Sequence, residues 1–98
     1  MKKIVLFCSA GMSTSLLVES MRKAAAADNY DCTIDAHPIA SADNHRDVDC
    51  VLLGPQVRYQ LKKIKAKFEC PVEPIDMIDY GTMNGKNVLD FAIKLIND

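Results

Sequence analysis

The chain has 98 residues, enough for one small domain around a single core. Hydrophobic residues make up 49% and charged residues 26%, ordinary values for a soluble globular fold, and a formal net charge of −1 leaves no electrostatic footprint for nucleic acid. No apolar stretch is long enough to span a bilayer.

The opening Met1-Lys2-Lys3 and the apolar run behind it have the outline of a secretory signal. That run stops at Cys8 after about five residues, short of the ~7–15 of a signal core, and the bulky Phe7 suits cleavage poorly. The protein is therefore read as cytoplasmic.

Residues 3–8 form the first predicted strand. Ile4-Val5-Leu6-Phe7 is continuously apolar with two β-branched members, the pattern of a strand buried on both faces. Behind Cys8 come the small residues Ser9, Ala10, Gly11, Ser13 and Thr14, and Gly11 takes positive φ at no steric cost. Several backbone N–H groups can therefore turn toward one point. Ser13 or Thr14 is the expected N-cap of a helix over residues 13–27, which adds its own unpaired N–H groups and positive dipole end. The stretch is an anion cradle with a thiol at its lip, the setting of a thiolate nucleophile.

Leu17, Met21, Ala24 and Ala25 give this helix an apolar stripe, and Asp28-Asn29 ends it. Residues 32–36 follow as a short strand with Ile34 inward, closed by His37-Pro38. Residues 39–47 are polar, with room for one helical turn. Residues 48–53 are a second buried strand, ended by Gly54-Pro55, and Pro55 suits the first turn of the next helix. Val57, Leu61, Ile64 and Phe68 are that helix's apolar stripe, to about residue 67. Residues 71–75 read as a short strand between prolines. Residues 76–85 read as a loop with a turn at Tyr80-Gly81, and residues 86–96 as a last helix burying Val88, Leu89, Ala92, Leu95 and Ile96.

Strands alternating with helices imply right-handed crossovers and a parallel sheet covered on both faces. The expected fold is α/β: one domain, an open four-stranded parallel sheet in the order 2-1-3-4 with flavodoxin-like winding. Its switch point lies between the first and third strands, where ligands bind outside the carboxyl ends. The loop after Cys8 and the Gly54-Pro55-Gln56 turn both arrive there. Of the four cysteines, Cys32, Cys50 and Cys70 fall at or just before strand starts, whereas Cys8 ends a strand. None shows C-x-x-C spacing, so three read as structural fillers and only Cys8 faces the functional edge.

Blander readings stand beside these. Cys8 is the nucleophile or a buried strand-end thiol. Met12 is an exposed loop residue pressed by partners or a core filler. Gln56 is a rim residue of the site or plain helix surface. His37 reads as a partly exposed turn residue, and His45 as solvent-facing loop without a second ligand at metal spacing. Arg58, Lys62 and Lys65 flank the apolar stripe as a solvated face or a dock for an acidic partner.

A cysteine opening a helix-capping phosphate loop resembles the low-molecular-weight tyrosine phosphatases and arsenate reductases, which share this winding. Their Cys-x5-Arg motif supplies an arginine clamp for the phosphoryl group. Here Thr14 occupies the arginine position, and Ser9 to Leu17 hold no Arg, Lys or His. Asp76 and Asp79 remain within reach as acids, so a cysteine hydrolase is the alternative function.

Leu6-Phe7-Cys8-Ser9-Ala10-Gly11-Met12-Ser13-Thr14-Ser15-Leu16-Leu17-Val18, with Val51-Leu52-Leu53-Gly54-Pro55-Gln56-Val57 and Ile75-Asp76 before Tyr80-Gly81, more closely resembles the IIB component of the bacterial sugar phosphotransferase system, lactose/cellobiose/chitobiose type. The resemblance covers essentially all of residues 1–98. It implies a phosphocarrier that accepts a phosphoryl group from phosphohistidine of IIA on Cys8. It then passes the group to a β-disaccharide of cellobiose or chitobiose type held by the membrane transporter IIC. Cys8 is thereby the catalytic nucleophile, and Ser9, Ala10, Gly11, Met12, Ser13, Thr14 and Ser15 surround the phosphoryl group, with Gln56 at the rim. No metal or organic cofactor is implied. A carrier must hold the group without losing it to water, and a neutral cradle lacking an arginine clamp and a general base fits that need.

Overall fold

The computed structural model describes residues 1–9 and 12–97, the side chains of residues 12 and 13 apart. Four parallel strands form one sheet: β1 (Lys2–Cys8), β2 (Cys32–Pro38), β3 (Cys50–Leu53) and β4 (Val72–Pro74). Their order is β2-β1-β3-β4, as expected. The helices are α1 (Met12–Ala27), α2 (Leu61–Lys65), α3 (Met77–Gly81) and α4 (Gly85–Asn97), with 3-10 segments at Ile39–Asn44 and Pro55–Gln60.

Because β1 is paired on both sides, its side chains alternate between two cores. Ile4 and Leu6 join Leu17, Met21, Val88 and Leu89 under α1 and α4. Val5 and Phe7 join Val57, Ile64 and Phe68 on the other face. Fully burying aliphatic or aromatic side chains of this size contributes about 1.5–3 kcal/mol each, which is why the central strand carries no polar residue between Ile4 and Phe7.

Several boundaries depart from expectation. β2 continues through His37 and Pro38, since it is an edge strand paired only with β1 and the proline's missing N–H faces away from the ladder. β3 is confined to Cys50–Leu53 rather than beginning at residue 48. The stretch after Pro55 is a 3-10 segment leading into one short α-helix, although Val57, Ile64 and Phe68 are buried as the stripe required. Residues 77–81, expected as loop, are helical because Asp76 caps them, its carboxylate accepting from the N–H groups of Ile78 at 2.9 Å and Asp79 at 3.1 Å. In α4, Val88, Leu89 and Ala92 are buried, and Leu95 and Ile96 only half-buried.

α4 lies hard against α1. A Cβ on Gly85 would come within 2.4 Å of Ser20, and the Gly85 N–H donates to Ser20 Oγ at 3.1 Å. Only a glycine admits that approach, so the pairing of the two helices over the Cys8-bearing strand depends on it.

Candidate functional site

Cys8 ends β1 at the carboxyl edge of the sheet and is 3% exposed; Ser9 behind it is exposed. α1 starts at Met12 and has no acidic residue in its first turn. Its leading N–H groups, which a helix leaves without intrahelical partners, thus face the Cys8 edge with their dipole uncancelled. Ala10 and Gly11 lie outside the described residues, as do the side chains of Met12 and Ser13.

The expected N-cap at Ser13 or Thr14 needs correction. Both positions are already helical, so neither is the cap of α1. Thr14 is the only buried polar residue among those described, fully enclosed, with Oγ1 3.5 Å from the Tyr80 hydroxyl. Its side chain therefore turns inward, and what the first turn offers an anion at this position is backbone. Ser15 is exposed on the same turn.

The second arm of the site is Gly54. Its N–H donates to the carbonyl of Phe7 at 2.9 Å, which ties the end of β3 to the residue before Cys8. A Cβ at Gly54 would stand 3.6 Å from Cys8 Cβ and 3.2 Å from Gln56 Oε1. The Gln56 amide oxygen and the Cys8 side chain thus flank the same glycine.

Asp76 and Asp79 are engaged in local structure: Asp76 caps α3, and Asp79 accepts from Asn87 Nδ2 at 3.2 Å. Tyr80, expected as turn chemistry, is instead buried and reaches α1 across 66 residues. The Asp76-x-x-Asp79 spacing was the one sequence signal for this helix. A groove of about 620 Å³ is lined by Arg58, Asp76, Met77, Ile78, Asp79 and Phe91 among others, and by none of the predicted site residues. The cysteine loop is the better candidate because its residue types converge on one reaction, and a second groove, lined by Ser15, Leu16 and His37 among others, borders it.

The histidines also depart from expectation. His37 lies in β2 opposite Phe7, and its ring stacks on His45 with centroids 3.7 Å apart and planes 10° apart. Desolvation, and then the neighbouring His45, push the His37 imidazole below its ordinary value. The pair packs beside Phe7 on the α2 side of the sheet. No group of three or more His, Cys, Asp or Glu side chains able to hold a metal occurs among the described residues.

A family model described as PTS system, Lactose/Cellobiose specific IIB subunit, matches residues 3–91. The galactose-specific EIIB component of Lactococcus lactis subsp. cremoris and the cellobiose-specific EIIB component of Lactococcus lactis subsp. lactis are each 44% identical over 105 residues, covering 98% of this chain and 97% of theirs. The oligo-beta-mannoside-specific EIIB component of Bacillus subtilis is 40% identical over 100 residues, with the same coverage. Among solved structures, the cellobiose-specific IIB protein of Borrelia burgdorferi superposes with a TM-score of 0.81 at 42% identity, covering 98% of this chain and 92% of that one. The lactose-specific IIB domain of Streptococcus pneumoniae superposes at 0.85 with 16% identity and 96% coverage of both chains, a likeness of fold.

Proposed function

The chain belongs to the lactose/cellobiose-specific IIB family of the sugar phosphotransferase system, and from that membership we propose that it carries a phosphoryl group on Cys8. Components of this class are phosphotransferases that work with IIA and IIC partners. The single observation that carries the proposal is the place of Cys8: a strand-end thiol at the carboxyl edge, facing the first turn of α1 and flanked by Gly54 and Gln56.

In the first step the Cys8 thiolate attacks phosphorus of a phosphohistidine on IIA in line. The S–P bond forms as the P–N bond breaks, and the imidazole leaves with the electron pair and takes up a proton. Backbone N–H groups of the loop and of the first turn of α1 hold the phosphoryl oxygens, with Ser9, Ala10, Gly11, Met12, Ser13, Thr14 and Ser15 as its surroundings. In the second step a sugar hydroxyl attacks phosphorus, its proton leaves to solvent, and the S–P bond breaks to return the thiolate. We infer that the acceptor is a β-disaccharide of cellobiose or chitobiose type held by IIC, a reading supported by the cellobiose and oligo-beta-mannoside specificities in the names of the relatives.

The test is intact mass after incubation with phosphoenolpyruvate, the general phosphotransferase proteins and a IIA partner. Wild type is expected to gain one phosphoryl group and Cys8→Ser none. An unmodified wild type that instead hydrolyses an aryl phosphate would replace this reading with a cysteine phosphatase.

A further inference from the structure

Charge is distributed unevenly along the chain. Residues 55–67 hold five of the 12 cationic residues, Arg58, Lys62, Lys63, Lys65 and Lys67, while all 13 acidic residues lie elsewhere. The segment is pinned to the sheet by buried Val57 and Ile64, so its polar side is presented outward. Two of the cations are neutralised locally: Lys65 pairs with Glu73 at 3.2 Å and Lys67 with Asp43 at 3.1 Å. Arg58, Lys62 and Lys63 are exposed and form no ion pair among the described residues. Between them stands Tyr59, 79% exposed, one of the most exposed large side chains in the protein.

We propose that this face, Arg58, Tyr59, Lys62 and Lys63, docks on an anionic phospholipid surface. Charge complementarity selects the occupant. Lysines on long stems without fixed partners act as mobile point charges, which suits a fluid array of phosphates, whereas a fixed acidic protein site favours forked, preorganised guanidinium contacts. An exposed tyrosine among them has the apolar body and polar tip of an interfacial anchor. Asp76 and Asp79 lie across the groove from Arg58 and bound the cationic face on that side. The proposal stands apart from the phosphotransfer reading, since vesicle binding and phosphoryl acceptance are separate measurements.

The experiment is co-sedimentation of the full chain with vesicles of phosphatidylcholine alone or mixed with phosphatidylglycerol, at low ionic strength. Wild type is expected to bind the anionic vesicles at least about threefold better than the neutral ones, and to lose that preference at about 0.5 M salt. The Arg58→Gln/Lys62→Gln/Lys63→Gln variant should fall to the neutral-vesicle level. A Lys2→Gln/Lys23→Gln/Lys94→Gln variant, with the same change in net charge on other surfaces, should bind as wild type. Equal binding of wild type to both vesicle types overturns the proposal and leaves the face to an acidic protein. Equal loss in the two triple variants also overturns it, by reducing the effect to net charge.

Discussion

Cys8 and Cys50 are the same residue type in the same sheet, both buried and both free thiols, yet they sit in opposite chemical worlds. Cys50 pairs with Ile4, one strand over and four residues back from Cys8, roughly 13 Å along the sheet. It lies at the amino edge, where burial, then Cys70, Asp49 and Glu73, push its thiol up to about 12. Cys32 and Cys70 at that edge are also raised, by burial first, with Asp31 acting on Cys32 and Asp49 on Cys70. Cys8 lies at the carboxyl edge, which faces the start of α1 and has no acidic residue in that helix's first turn. In a parallel sheet the strand direction, not the burial of a thiol, decides whether helix dipoles and backbone donors meet it.

Exchanging sulfur for oxygen at each edge separates the two thiols most widely. Cys8→Ser should abolish phosphoryl acceptance in the intact-mass experiment, while Cys50→Ser should accept a full phosphoryl group. Equivalent loss in both would mean that the edges are not functionally distinct.

The next effect concerns stability in alkali. A raised thiol stays protonated in the folded state while the unfolded chain ionises, so stability falls as pH rises from 9.0 toward about 12. Urea unfolding should show wild type losing about 2–3 kcal/mol more than Cys50→Ala between about pH 8 and about pH 11. A parallel loss in both proteins would remove Cys50 from the account.

A smaller effect is expected from Gln56→Ala, which deletes the amide beside Gly54 and Cys8. Single-turnover transfer from phosphorylated IIA should slow by up to about tenfold, the worth of one hydrogen bond in a transition state, with thermal stability unchanged. The smallest belongs to Tyr80→Phe. The 3.5 Å separation from Thr14 is long for a hydroxyl pair, so removing the phenolic oxygen should cost about 1 kcal/mol or less by thermal denaturation. A larger loss would make the α1–α3 tie a main support of the carboxyl edge.

The winding, the central strand and the edge at which Cys8 ends β1 were legible in the chain alone. Those follow from short-range signals: an unbroken apolar run at Ile4–Phe7, helical stripes at Leu17/Met21 and Val57/Ile64, and small residues directly after a strand-end cysteine. Each signal is a property of neighbours in the chain, and steric and hydrophobic periodicity make it legible without a partner in view. What the sequence left open was decided by contacts between distant segments. Thr14 is a good capping residue by type, but its hydroxyl is buried against Tyr80, 66 positions away. Pro38 stays in β2 because that strand has an open edge. His37 and His45 stack only because the 3-10 segment folds back over β2. Gly85 is a glycine because α1 leaves no room for a Cβ. The backbone can satisfy itself locally in many ways, and close packing of a shared interior selects among them, so such roles appear only once the chain has folded.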